Sequence, residues 1–115
     1  MKAINEIQFC DISRISSLDK EYLLTLVQKY QEHAAAMILS IHSSLKISDE
    51  KSLLYYAHKL YGASQIAGAK NVIAIAQKIE EKIKYGKHKN SRLEDLVIEL
   101  RPNFEGYLEE VRQFY

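Results

Sequence analysis

Apolar residues recur every three or four positions in four separate stretches of this chain. From about Leu18 to Leu45, the residues Leu23, Val27, Tyr30, Ala34, Met37 and Ile41 are spaced 4, 3, 4, 3 and 4. That rhythm predicts an amphipathic helix with one buried face. A second helix is predicted over Asp49 to Ile66, with Leu53, Ala57, Leu60 and Ser64 on its inward stripe. A third, from Ala69 to Tyr85, turns Val72, Ala76, Ile79 and Ile83 inward. The fourth runs from Arg92 to Gln113, with Leu93, Val97, Leu100, Phe104, Tyr107 and Val111 again spaced 4, 3, 4, 3 and 4.

Residues that stop or start helices separate these stretches. Ser16 or Ser17 is the expected N-cap of the first helix. Ser48, within "KISDEKS", is expected to cap the second, with Asp49 and Glu50 favourable in its first turn. Gly68 and Gly86 are placed to end the second and third helices. "KHKNS" reads as an exposed loop, with Asn90 or Ser91 capping the last helix. Pro102 removes one backbone hydrogen bond inside that helix, and because the apolar phase continues past it, a kink is expected rather than a break.

Long amphipathic helices with short connections pack as antiparallel neighbours, so the expected fold is all-α, an up-down four-helix bundle over about residues 18–113. Residues 1–16 are expected to add a short helix through Ile12 and Ile15 that covers one end. The 115 residues fit one domain and suffice for a real core. An intramolecular bundle needs no second copy to bury its stripes, and a monomer is expected.

Composition narrows the function. Lys+Arg 16 against Asp+Glu 15 produces no global field, so neither nucleic acid nor an anionic membrane is called for. The longest nearly apolar run, "AAAMILSI", is too short to span a bilayer. Cys10 has no cysteine partner within the chain, and "MKAINEIQFCDIS" lacks the apolar block of a signal peptide. A cytoplasmic location is expected.

The candidate chemistry lies in "YYAHKLYGAS", residues 55–64. With about 100° per residue, His58 sits roughly 100–160° away from the inward stripe of its helix, and so faces outward. Leu54 and Tyr55 lie one turn before it, with Tyr61, Gly62 and Gln65 after it. A glycine in a helix interior costs about 1 kcal/mol relative to alanine. Its presence one turn from an outward histidine makes sense where something bulky must approach the ring. An imidazole in water titrates near about 6.5, so at neutral pH one ring nitrogen keeps its lone pair and can attack a phosphoryl group. Lys59, about 100° around the helix, could offer positive charge to the product.

The string "AHKLYGASQIAGA", residues 57–69, resembles the phosphate-accepting helix of histidine-containing phosphotransfer (HPt) domains. That helix typically reads Ala-His-x-Leu-Lys-Gly-Ser-Ser or -Ser-Ala, followed by an apolar residue and Gly-Ala. "EYLLTLVQKYQEHAAAMILSIHSSL" looks like the family's preceding helix, and the likeness extends over roughly residues 18–85. The resemblance implies that His58 accepts a phosphoryl group from the aspartyl-phosphate of a response-regulator receiver domain and passes it to another receiver aspartate. A hybrid sensor histidine kinase would stand upstream. Leu54, Tyr55, Tyr61 and Gln65 would form the docking surface, with Gly62 as the steric allowance and Lys59 in support. The chain itself would bind no cofactor, because the receiver brings the acidic pocket and Mg²⁺. It would be a phosphocarrier without autonomous catalysis. Two departures stand out: the usual lysine three residues after the histidine is Tyr61, and the first small residue after the glycine is Ala63.

Sensor-kinase dimerisation helices are excluded, because they follow their histidine with an acidic residue and then Thr-Pro or Asn-Pro. Here Lys59 follows, no proline is near, and an ATP-binding domain is not expected within these 115 residues. His33, His42 and His88 form no metal-binding spacing, and no nucleophile elbow supports hydrolase chemistry. Lys78, Lys82, Lys84, Lys87 and Lys89 read as a solvated face interrupted by Glu80 and Glu81. Tyr107, Phe114 and Tyr115 read as core and end packing. The rival reading is a bundle that docks a receiver or kinase without carrying phosphate, which Tyr61 in the lysine position favours.

Overall fold

The computed structural model describes residues 9–11, 15, 18–86 and 92–114. Four helices account for most of them: α1 (Lys20–Lys46), α2 (Glu50–Ala67), α3 (Lys70–Tyr85) and α4 (Leu93–Phe114). Each helix packs against its neighbour in sequence, and α1 also meets α4, which closes the ring of the bundle. At about 1.5 Å per residue the 27 residues of α1 span about 40 Å, which accounts for the 41 Å long axis of the molecule.

The two tightest turns explain the antiparallel arrangement. Gly68 sits at φ 74°, the left-handed conformation that only glycine adopts without steric cost, and the backbone re-enters a helix two residues later. Gly86 ends α3 in the same conformation. At the α1–α2 turn the expected cap is displaced by one residue. Ser48 takes the left-handed conformation (φ 57°) and helps close the end of α1, its N–H donating to the Leu45 carbonyl oxygen at 3.0 Å. Asp49 therefore becomes the N-cap of α2. Its Oδ1 accepts from the Ser52 N–H at 3.1 Å, and its Oδ2 accepts from the Ser52 hydroxyl at 2.7 Å. These bonds hold the Asp49 carboxyl below its ordinary pKa.

The start of α1 also differs from expectation. The N-cap is Asp19, without a side-chain capping bond, in place of Ser16 or Ser17. Met37 and Val27 are half-buried, and Ile38 takes the fully buried position instead. The strict 4-3 rhythm averages 3.5 residues per turn against the helix's 3.6, so the buried face drifts along a helix of this length. In α3 the same drift buries Ile75 and leaves Ile83 half-buried. In α4, Leu93 is half-buried, while Leu96 and Leu108 join the core.

The helix α4 continues through Pro102. Next to the proline, Asn103 Nδ2 donates to the Glu99 carbonyl oxygen at 2.8 Å, and its Oδ1 accepts from Asn71 Nδ2 of α3 at 3.0 Å. Of the described N-terminal residues, Cys10 and Ile15 are buried in the core. This segment is tied to the α2–α3 turn by Asp11 N–H to the Gly68 carbonyl oxygen (2.7 Å) and Lys70 N–H to the Phe9 carbonyl oxygen (3.1 Å). Ile12 and the residues of the expected short helix around it lie outside the described residues, as do "KHKNS" and its candidate caps Asn90 and Ser91.

The core beneath α2 is aromatic. Tyr30 of α1 meets Phe104 and Tyr107 of α4 edge-on, with ring centroids 5.7 and 5.3 Å apart. Both phenols are satisfied: Tyr30 Oη and Ser64 Oγ lie 2.7 Å apart, and the Tyr107 hydroxyl donates to the Ala67 carbonyl oxygen at 2.7 Å. These bonds fix the height and rotation of α2 from its buried side. The opposite face of the same helix carries the site.

Candidate functional site

The buried stripe of α2 comprises Leu53, Ala57, Leu60, Ser64 and Ala67. Its burial turns His58 into solvent, where 69% of the side chain is exposed. One ring nitrogen is nevertheless fixed. Nδ1 lies 2.7 Å from Oε1 of Glu80, on α3, and only 12% of that carboxylate side chain is exposed. A carboxylate accepts a hydrogen bond, so it selects the ring state that carries hydrogen on Nδ1. In the neutral ring the lone pair is then on Nε2, and no described residue bonds that atom. The ring is therefore anchored through one nitrogen, with the other turned away from the carboxylate.

Gly62 lies one turn further along α2. A Cβ built there would meet no atom of the chain within 4 Å. Packing inside the bundle therefore does not require a glycine at this position, and the space it leaves opens outward beside the imidazole.

The remaining candidate residues separate into two sides. Tyr61 is half-buried, and Gln65 Nε2 donates to its hydroxyl oxygen at 3.2 Å. On the other side, Lys59 Nζ lies 5.0 Å from the centroid of the Tyr55 ring, which in turn meets Tyr56 edge-on at 5.1 Å. The Tyr55 hydroxyl pushes the Lys59 pKa up, and the ammonium stands against this aromatic pair. Tyr55 is 54% exposed, and Leu54 is half-buried. Leu54, Tyr55, Tyr61 and Gln65 thus surround His58 on one surface.

Glu80 is the residue that the sequence does not single out, because along the chain it only interrupts a run of lysines. A signal was present. His58 and Glu80 stand eleven residues to either side of Ala69, in the tight turn joining α2 to α3, and antiparallel helices bring such positions to the same height.

Other candidates do not assemble into a site. His33 is exposed, His42 is half-buried, and His88 lies outside the described residues. Among the described residues no group of histidine, cysteine and carboxylate side chains could hold a metal ion. Lys78 and Lys84 are exposed and Lys82 is half-buried, whereas Lys87 and Lys89 are outside the described residues. No helix among those residues is long and apolar enough to cross a membrane. Tyr107 is core, as expected, and the side chains of Phe114 and Tyr115 are outside the description.

The family model for the Hpt domain matches residues 25–114, which is most of the chain and takes in α2, α3, α4 and all but the first five residues of α1. The chain belongs to the Hpt domain family. Hpt domains perform histidine phosphotransfer in phosphorelays, in contact with response regulators and kinases. Searches of curated proteins and of solved structures return no match. In this Hpt domain, His58 stands on the exposed side of α2 with Glu80 behind it and Gly62 beside it.

Proposed function

We propose that this Hpt domain is a phosphorelay intermediate in which His58 carries the phosphoryl group. It accepts that group from the aspartyl-phosphate of one receiver domain and delivers it to the aspartate of another, downstream of a hybrid sensor histidine kinase. The observation that carries this reading is the exposed imidazole with its Nδ1 bonded to a carboxylate.

In the forward step His58 Nε2 attacks phosphorus. The N–P bond forms while the aspartyl O–P bond breaks, and the bonding pair leaves with the receiver's carboxylate. The ring becomes positively charged with its proton on Nδ1, where Glu80 balances the charge. Delivery is the same step reversed. Such transfers depend chiefly on positioning and on charge stabilisation around the phosphoryl oxygens. The receiver brings Mg²⁺ and its acidic pocket; this chain brings the aligned nucleophile and the clearance at Gly62. Leu54, Tyr55, Tyr61 and Gln65 form the rim on which the receiver rests, and Lys59 adds positive charge at its edge. The relay operates in the cytoplasm, with this domain as a monomer.

The test is incubation with a phosphorylated receiver and Mg²⁺. The wild-type chain acquires label that is acid-labile and base-stable, and His58→Gln acquires none. Equal labelling of the two proteins would overturn the proposal. Unchanged receiver binding and biological output in His58→Gln would instead favour a docking module that carries no phosphate.

A further inference from the structure

A phosphoryl group on His58 would bring two negative charges to the surface of α2, and those oxygens require donors. Glu80 supplies none, because it is committed to Nδ1 and is itself anionic. The adjacent cation, Lys59, stands at the ring of Tyr55, on the other side of His58 from Tyr61. Residues 58, 61 and 65 form a single ridge along the helix, and side chains three or four residues apart on such a ridge stand about 5–6 Å apart at Cβ. On this ridge Gln65 Nε2 donates to the oxygen of Tyr61. That bond occupies a lone pair of the phenol and leaves its O–H hydrogen to donate elsewhere. Gly62, on the flank of this ridge, adds no side chain beside it.

We propose that Tyr61, oriented by Gln65, donates a hydrogen bond to the phosphoryl oxygens on His58, so that the phosphorylated state is stabilised by a neutral donor in place of a cation. This rests on the assignment of His58 as the phosphorylated residue. It assigns Tyr61 a chemical role and explains the pairing with Gln65. It also has a physical signature. The attraction between an exposed ammonium and a phosphoryl dianion is screened by salt, whereas a hydrogen bond from a phenol depends little on ionic strength.

The experiment uses phosphoramidate as a small-molecule donor, so that no receiver contact contributes. The imidazole Nε2 forms the new N–P bond, the donor's N–P bond breaks, and its nitrogen leaves as ammonia. Phosphorus NMR then follows the chemical shift and lifetime of the phosphohistidine in wild type, Tyr61→Phe, Gln65→Ala and Tyr61→Lys. Phenylalanine preserves the ring and its packing, so Tyr61→Phe isolates the hydroxyl. The expected results are a moved resonance and a lifetime shortened by about tenfold in Tyr61→Phe, the scale of one hydrogen bond to a charged group. Gln65→Ala shows a smaller loss. The wild-type lifetime is flat with added salt, whereas that of Tyr61→Lys falls. Identical lifetimes and resonances in wild type and Tyr61→Phe would overturn the role of Tyr61 while leaving His58 as the carrier. Wild-type protein that takes no phosphate at His58 would overturn the reading beneath it, and this inference with it.

Discussion

The Glu80 carboxylate oxygen sits 2.7 Å from His58 Nδ1, joining the middle of α2 to the facing turn of α3. Glu80 is nearly enclosed and His58 is mostly in water, so the pair has a fixed end and an open end. The fixed end sets which nitrogen holds hydrogen, and the other nitrogen faces away from it.

Removing the fixed end should slow transfer without abolishing it. Glu80→Ala frees the ring to rotate and to exchange tautomers, and the phosphotransfer rate is expected to fall by about tenfold or more. Glu80→Gln keeps an acceptor for Nδ1–H but loses the balancing charge, and should fall between wild type and Glu80→Ala. Nitrogen NMR of the imidazole reports the tautomer in each variant. Wild-type rates and tautomer populations in Glu80→Ala would remove Glu80 from the mechanism.

Gly62 allows stability and function to be separated. An added methyl meets nothing within the chain, and alanine is the better helix former, so Gly62→Ala is expected to stabilise the fold by about 1 kcal/mol. That corresponds to a rise of about 4 °C in melting temperature for a domain of this size. The same methyl stands in the approach to His58, so transfer from a receiver should slow. A more stable protein with undiminished transfer would show that the clearance is not used.

Alkaline pH should weaken the fold through two buried groups. Burial, reinforced by Glu110 and Asp11, pushes the Cys10 thiol from 9.0 up to about 12. Burial likewise pushes Tyr30 well above its ordinary 10.0, against the opposing effect of its bond to Ser64. Each group stays protonated in the fold at a pH where it would ionise in the unfolded chain. Their contribution is therefore complete below the unfolded values and is lost as pH rises towards the folded ones. Urea midpoints measured from neutral pH to about pH 11 should fall progressively. At neutral pH, Tyr30→Phe is expected to cost about 1–3 kcal/mol, because it leaves Ser64 without its partner. Its stability should nevertheless decline less steeply with alkali than that of wild type. Parallel pH curves for the two proteins would contradict this account.

Much of the architecture was legible in the periodicity. The four helices stand where the apolar spacing placed them, within a few residues at each end, and Gly68 and Gly86 stop α2 and α3 as expected. The boundaries that shifted did so for local reasons. Ser48 was needed to close α1 in a left-handed turn, so capping of α2 passed to Asp49. The choice between Met37 and Ile38 could not be read locally, since the two lie side by side on the helix and the positions of α2 and α4 determine which one is enclosed.

For the site, the chain by itself determined that His58 points outward, because residues 53, 57, 60 and 64 must point in and a helix has only one opposite side. It also placed Gly62, Tyr61 and Gln65 on the same face by their spacing alone. What only the tertiary structure decided was the company each side chain keeps: Glu80 on His58, Tyr55 under Lys59, and Gln65 on Tyr61. The physical reason is that helical periodicity sets direction around one axis, whereas a contact between helices also requires their relative height and rotation. Those are settled by the turn at Gly68 and by the buried bonds of Tyr30 and Tyr107.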